Sequence, residues 1–270
     1  MRNRVIAVLA ALPIVLGGAP AIAAPTAQDE TRYVALGDSY AAGNAAGAYD
    51  TTSGACRRST RAYPALWAAQ HAVSDFRFAA CSGATTADVL RQQLPALSRN
   101  TTLVTLTIGG NDLEFSDSTT SCLLPTSTDA ACDRALDESE RLLREELPQK
   151  LQETHQAIEK AAPNAKVVVT GYPHLLETGS QSCTVGTPAR RMRFNSLTDE
   201  TNELTRELAE KQGFLFADVR DPFDSHGICT TTGRQEWITR LTLPTWASFH
   251  PTATGHAQGY LPPVTAAING

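Results

Sequence analysis

Beyond its first two dozen residues the chain has no apolar run long enough to cross a bilayer, no excess of positive charge, no internal repeat and no closely spaced cysteine pair. Each absence removes a class of function. A membrane-spanning helix needs about 20 consecutive apolar residues, so none is expected after the N-terminal segment. With 23 Lys and Arg against 28 Asp and Glu and no basic patch, the chain lacks the positive charge that neutralises phosphates, which argues against a nucleic-acid partner. Neither Cys-x-x-Cys nor His-x-x-x-His occurs, so no metal site is expected, and no cofactor. Aromatic content is 6%, and Trp67, Trp237 and Trp246 are scattered, which reads as partial core rather than a row for stacking sugars.

What the chain does have begins with Arg2 and Arg4, an apolar run over residues 5–16 and small residues at Ala21-Ile22-Ala23. This pattern reads as a secretory signal peptide over residues 1–23, leaving one domain over residues 24–270. Removing two arginines and no acids takes the formal charge from -5 to -7. The mature chain is then mildly acidic, long enough to bury one substantial core, and expected to be secreted, monomeric and not inserted in a membrane. Six cysteines in an exported chain can oxidise, and 15 pairings are open. The simplest joins neighbours along the chain: Cys56 with Cys81, Cys122 with Cys132, and Cys183 with Cys229.

Runs rich in β-branched residues recur at 33–36, 103–108, 167–170 and 214–219, with a weaker one at 76–80, separated by stretches long enough for helices. That alternation predicts a parallel sheet in an α/β fold. Leu136, Leu142, Leu143, Leu147, Leu151 and Ile158 fall at helical spacing over residues 133–161, with Pro148 marking a break. Residues 194–212 carry the stripe Leu197, Leu204 and Leu208, and Gly213 is suited to the C-cap. Segments 43–53 and 116–128, rich in Gly, Ser and Thr, read as loops over the C-terminal edge of the sheet, where open α/β folds bind ligands.

Acyl transfer needs a nucleophile, a base, and donors aimed at an oxyanion. Ser39 follows directly on the first strand, where the turn Gly37-Asp38-Ser39 can present its hydroxyl above the sheet; alone, it reads first as a helix-capping serine. Asn111, in Gly109-Gly110-Asn111-Asp112, follows another strand and can turn its amide to the same edge. Gly83, in Cys81-Ser82-Gly83, permits close approach of its N–H to a substrate oxygen. His250 stands before Pro251, which suits the first position of a helix starting near Thr252; His256 reads as structural. The sequence Gly37-x-Ser39-x-Ala41 nearly matches the Gly-x-Ser-x-Gly elbow of α/β-hydrolases. It comes too early in the chain for that fold, and Ala41 replaces the last glycine.

Together, Gly37-Asp38-Ser39, Gly83, Gly109-Gly110-Asn111-Asp112 and His250-Pro251 resemble, in order and spacing, the blocks of the SGNH, or GDSL, hydrolase family. The resemblance runs from about Tyr33 to the C-terminus and is strongest toward secreted actinobacterial lipases and esterases, which commonly carry three disulfides. It implies a flavodoxin-like three-layer α/β/α sandwich around a parallel sheet of about five strands. It also implies Ser39 as nucleophile, His250 as base, and an oxyanion hole of Ser39 N–H, Gly83 N–H and Asn111 Nδ2. The family's usual acid, three residues before the histidine, is here Ala247, and Trp246-Ala247-Ser248-Phe249-His250 contains no carboxylate. The expectation is therefore a Ser39–His250 dyad with the carbonyl of Ala247 or Ser248 holding Nδ1–H, Asp218, Asp221 and Asp224 being the alternatives. The implied activity is hydrolysis of lipid or short-to-medium acyl esters. Glycan deacetylation, acyl transfer to another acceptor, and a non-enzymatic binding module on the same scaffold are the competing readings.

Overall fold

The computed structural model describes residues 30–180, 182–230 and 233–270. The expected signal peptide lies outside the described residues. Five parallel strands form the centre: β1 (Thr31–Gly37), β2 (Val73–Phe78), β3 (Leu103–Thr107), β4 (Lys166–Thr170) and β5 (Leu215–Ala217), in the order β2-β1-β3-β4-β5. All five residues of β3 and four of β4 are buried, as a sheet covered on both faces requires. Tyr33 lies opposite Leu103 and Gly37 opposite Thr107. The strand order reverses between β1 and β3, and at that switch point the two chains diverge to leave a crevice. Gly37–Ser39 and Gly109–Asn111 leave the sheet side by side there.

Nine helices are described: α1 (Ser39–Ala42), α2 (Tyr63–Gln70), α3 (Thr86–Asp88), α4 (Phe115–Leu123), α5 (Asp129–Glu145), α6 (Leu147–Ala161), α7 (Pro188–Lys211), α8 (Arg220–Phe223) and α9 (Leu261–Asn269). Alternation along β1 sorts its side chains to two faces. Tyr33 and Ala35 pack with Trp67 of α2 and Leu261 of α9. Val34 and Leu36 join a larger cluster with Leu136, Leu147, Leu151, Phe194 and Leu197 of α5, α6 and α7. The result is a three-layer α/β/α sandwich of flavodoxin-like strand order.

The helices differ from the sequence expectation in three places. The stripe over residues 133–161 begins earlier, at Asp129, capped by the Thr128 hydroxyl; the expected break is present at Glu146, with Pro148 at the start of α6, where it has no intrahelical bond to lose. Helix α7 begins at Pro188, not Phe194, because its buried face is polar and hides the apolar period. Thr198, Thr201 and Thr205 donate to the carbonyls four residues back, which lets them sit inside. Part of the segment read as a loop, 116–128, is helix α4. Its Ser and Thr residues favour the helix weakly, but Ser118 meets Ser139 of α5 at 2.8 Å and the Cys122–Cys132 disulfide clips the two helices together. The other disulfides are Cys56–Cys81 and Cys183–Cys229. Among the described residues no helix is long and apolar enough to cross a membrane.

Candidate active site

The nucleophile turn is built by the close approach of β1 to β3. Gly37 has φ +132°, and a Cβ there would lie 2.3 Å from the Thr107 carbonyl oxygen, so only glycine fits. The buried Gln93 amide then pairs with both backbone groups of Gly37, at 2.7 and 2.8 Å. Asp38 N–H donates to Thr107 O at 2.9 Å, and Asp38 Oδ1 caps the short α1 by accepting from Tyr40 N–H at 2.8 Å. Ser39 is thereby fixed as the first residue of α1.

His250 reaches this turn on a loop fastened on both sides. Phe249 N–H donates to Thr239 O at 2.8 Å, Thr239 N–H to His250 O at 2.9 Å, and Ile238 bridges to Pro251. Phe249 adopts a left-handed φ of +61°, a conformation costly for a side chain this large, and its carbonyl accepts from Tyr40 Oη at 2.8 Å. A helical stretch starts near Thr252 as expected, over residues 253–269 and running into α9; Pro251 precedes it rather than opening it, and the Thr252 hydroxyl accepts from Gly255 N–H at 3.2 Å.

The imidazole lies with Nε2 2.7 Å from Ser39 Oγ and Nδ1 2.7 Å from Ser248 O. A carbonyl can only accept, so Nδ1 carries the proton and Nε2 presents its lone pair to the serine hydroxyl. Of the two expected carbonyls it is Ser248, not Ala247, that faces the ring. Desolvation in the half-buried site pulls the His250 pKa down to about 4, offset in part by the bond to Ser248. Asp218 is held instead by Arg206 and Arg220.

The two remaining blocks converge on the same cleft. Gly83 has φ +80° and follows Cys81, whose N–H donates to Gly37 O at 2.9 Å, while Ser82 N–H donates to Cys56 O at 3.2 Å. The Asn111 amide donates one Nδ2 hydrogen to Ala84 O at 2.8 Å, which orients the group. Among the described residues neither Ser39 N–H nor Gly83 N–H has a protein acceptor. Ser39, Gly83, Asn111 and His250 all line one cleft of about 380 Å³, whose other walls include Leu113, Phe115, Phe194, Leu197, Trp246 and Phe249. Trp246 is therefore part of the site wall, whereas Trp67 and Trp237 are buried.

Sequence reasoning missed Tyr172. Its hydroxyl donates to Asp38 Oδ2 at 2.5 Å and accepts from Gly110 N–H at 3.0 Å, tying the nucleophile turn to the asparagine loop. Asn202 of α7 holds the Tyr172 backbone from both sides, each bond 2.8 Å. Burial pushes the Asp38 carboxyl up to about 7, against the lowering effect of the bonds from Tyr172 and Tyr40. The available signal was position: Gly171-Tyr172-Pro173 directly follows β4, at the same edge as the other blocks.

A neutral imidazole against a serine hydroxyl, three N–H donors on neighbouring loops and an apolar cleft make an arrangement competent for acyl transfer. No group of three or more His, Cys, Asp or Glu suited to a metal occurs among the described residues.

Over most of its length the chain is similar to known proteins. Residues 35–258 match the GDSL-like Lipase/Acylhydrolase family. The chain is 44% identical over 252 residues to a lipase of Streptomyces rimosus, spanning 93% of this chain and 91% of that protein. The crystal structure of an extracellular lipase from Streptomyces rimosus aligns with a TM-score of 0.83 at 44% identity, covering 88% of this chain and 99% of the other. That of phospholipase A1 from Streptomyces albidoflavus NA297 aligns with a TM-score of 0.83 at 38% identity and the same coverage.

Proposed function

Given that the chain belongs to the GDSL-like lipase/acylhydrolase family and is a carboxylic-ester hydrolase, we propose that it is a secreted serine lipase or esterase working through an acyl-enzyme on Ser39. The 2.7 Å contact between Ser39 Oγ and His250 Nε2 at the end of an apolar cleft carries this reading. Residues 1–23 form the leader and residues 24–270 the catalytic domain, acting as a monomer without a cofactor.

In the mechanism, Ser39 Oγ attacks the ester carbonyl while its proton passes to His250 Nε2. The oxyanion is stabilised by Ser39 N–H, Gly83 N–H and Asn111 Nδ2. Collapse of the tetrahedral intermediate breaks the bond to the alcohol, which leaves with the proton from His250. Water then enters, His250 takes its proton, and a second tetrahedral intermediate releases the acid and restores Ser39. Nδ1–H stays on the Ser248 carbonyl throughout, fixing tautomer and ring orientation as an acid would, without stabilising the imidazolium by a full charge.

Apolar walls favour acyl chains of lipids or short-to-medium esters over acetylated glycans. A chain-length series of p-nitrophenyl esters run beside an acetylated xylan tests this, with Ser39→Ala as control. Turnover of the aryl esters that Ser39→Ala abolishes is the expected result; activity confined to the glycan would replace lipid by carbohydrate as the substrate class. Transfer of the acyl group to an added alcohol in preference to water would identify an acyltransferase.

A further inference from the structure

We propose that Asn44 is a positioning residue of this cleft, its side-chain amide holding the Gly83 loop in register with the segment that carries His250. This rests on the ester-hydrolase reading above and gives that site a side chain that fixes an oxyanion donor relative to the base.

Asn44 lines the cleft just after α1 and is tied to that helix through the main chain, its N–H donating to Ser39 O at 3.0 Å. Its side chain bonds two further loops. One Nδ2 hydrogen goes to Ser82 Oγ at 2.8 Å and the other to Trp246 O at 3.2 Å, contacts that span 38 and 202 residues of chain. Ser82 directly precedes Gly83. Trp246 lies in the turn Thr245–Ala247, where Ser248 N–H donates to Thr245 O at 3.0 Å, and Ser248 O in turn accepts from His250 Nδ1. One residue thus joins the surroundings of the nucleophile, an oxyanion donor and the base.

The partners require an amide at this position. A carbonyl only accepts, so Nδ2 rather than Oδ1 faces Trp246, and the two amide hydrogens serve two acceptors on different loops. Ionised aspartate matches the shape and donates neither bond; serine donates one. Asn44 is 1% exposed, yet among the described residues its Oδ1 has no hydrogen-bond partner. A buried acceptor left open is costly, and an apolar side chain would avoid that cost if packing were the only task. What the position needs is the pair of donors.

Each loop is also fastened independently of Asn44. The Cys56–Cys81 disulfide and the bond from Cys81 N–H to Gly37 O hold the Gly83 side, while Thr239 and Tyr40 Oη hold the His250 side. Arg57 touches both as well, with Nη1 3.2 Å from Ser82 Oγ and the guanidinium carbon 4.6 Å from the Trp246 ring centroid. That contact grips the indole, whereas Asn44 grips the main chain four residues before His250. The amide therefore supplies registry between two loops already formed. A misplacement of about 1 Å among reacting groups can cost about 10²-fold in rate.

The test uses p-nitrophenyl butyrate. Asn44→Ala and the isosteric Asn44→Asp both remove the two donors, and each is expected to lower kcat about 10–100-fold with KM changed by less than about threefold. Affinity for butaneboronic acid, whose boron bonds Ser39 Oγ as the serine proton passes to His250, should fall in step with kcat/KM; a merely structural role would not move it. Ser82→Ala removes one acceptor at a half-buried position and is expected to lower kcat several-fold, with Asn44→Ala costing less in that background than in wild type. It also carries the test if neither variant at position 44 folds. A lower melting temperature with kcat kept within about threefold in the Asn44 variants, strictly additive losses in the double variant, or unchanged kcat in Ser82→Ala would overturn the positioning role alone. A wild-type protein inert on the ester would overturn the ester-hydrolase reading and this proposal with it.

Discussion

The Tyr172 hydroxyl lies 2.5 Å from Asp38 Oδ2, so a residue after β4 is locked to the residue preceding Ser39. The same oxygen accepts from Gly110 N–H. Phenylalanine at position 172 removes both bonds, leaving Asp38 Oδ2 and the Gly110 N–H without a partner while Asp38 Oδ1 keeps its bond from Tyr40. A lost bond to such a group costs about 1.5–3 kcal/mol, so Tyr172→Phe should lower the melting temperature by several degrees. It should also lower kcat about tenfold, because the turn that carries Ser39 and the Gly110-Asn111 loop are no longer tied together. Because the tyrosine holds the Asp38 pKa down, its removal should raise that pKa above about 7. An unchanged kcat would show that the lock does not position the site.

The proposed Ser39–His250 dyad, completed by main chain, makes a prediction about carboxylates. Asp218→Asn, Asp221→Asn and Asp224→Asn should each leave kcat within about threefold of wild type, whereas loss of a true triad acid costs about 10⁴-fold. The pH profile gives a second reading. Only neutral His250 can accept the serine proton, and burial holds its pKa near 4. The acidic limb of kcat/KM should therefore fall as pH drops through about 4, well below the ordinary histidine value of about 6.5.

Asn111 offers a direct test of the proposed oxyanion hole. Asn111→Ala should reduce kcat by about 10²–10³-fold, the loss typical of one donor, with the fold intact by circular dichroism. Because Nδ2 also bonds Ala84 O, Asn111→Asp should be at least as inactive: it places a repelling oxygen there and breaks the orienting bond.

Stability against acid follows from histidines kept neutral by burial. His155 and His250 are pulled down to about 4 and His256 to about 3. Each binds a proton more readily unfolded, so its contribution is complete above about 6.5 and is lost as pH falls toward its folded value. Asp38, raised to about 7, and Asp112, also raised by burial, act in the opposite sense. Three histidines outweigh two acids. Unfolding free energy from urea titrations should rise between about pH 4 and 6.5, and His155→Leu should flatten the slope by up to about 1.4 kcal/mol per pH unit. A stability curve falling over that window would contradict this balance.

The Cys56–Cys81 disulfide closes a loop of sequence separation 25 against the Ser82-Gly83 turn. The double variant Cys56→Ser, Cys81→Ser should lose about 3–4 kcal/mol by the chain-entropy account. It should also lose kcat at temperatures where it is still fully folded, since Gly83 N–H is no longer held. Full activity in the folded double variant would separate the bridge from the site.

Much of this was legible before the structure. Strand ends are short apolar runs, and Gly37, Gly83, Gly109, Asn111 and His250 stand where backbone bends and donors are needed, so the blocks can be read in one dimension. Helix α4 was not legible, because its Ser and Thr residues become helical only by packing on α5. The start of α7 was hidden by a buried face of threonines and asparagines satisfied within the fold. Tyr172 was invisible for another reason: its role exists only because β4 lies beside β3, which in turn flanks β1.

Ser39 and His250 meet across 211 residues of chain. The first follows the opening strand, while the second arrives on a segment held by Ile238, Thr239 and the Tyr40 hydroxyl. Hydrolysis therefore requires this segment to be docked, whereas far-ultraviolet ellipticity reports the sheet and helices, so the two signals followed during refolding separate the docking of one loop from formation of the scaffold. The lag between those two signals measures how late the C-terminal segment closes the molecule.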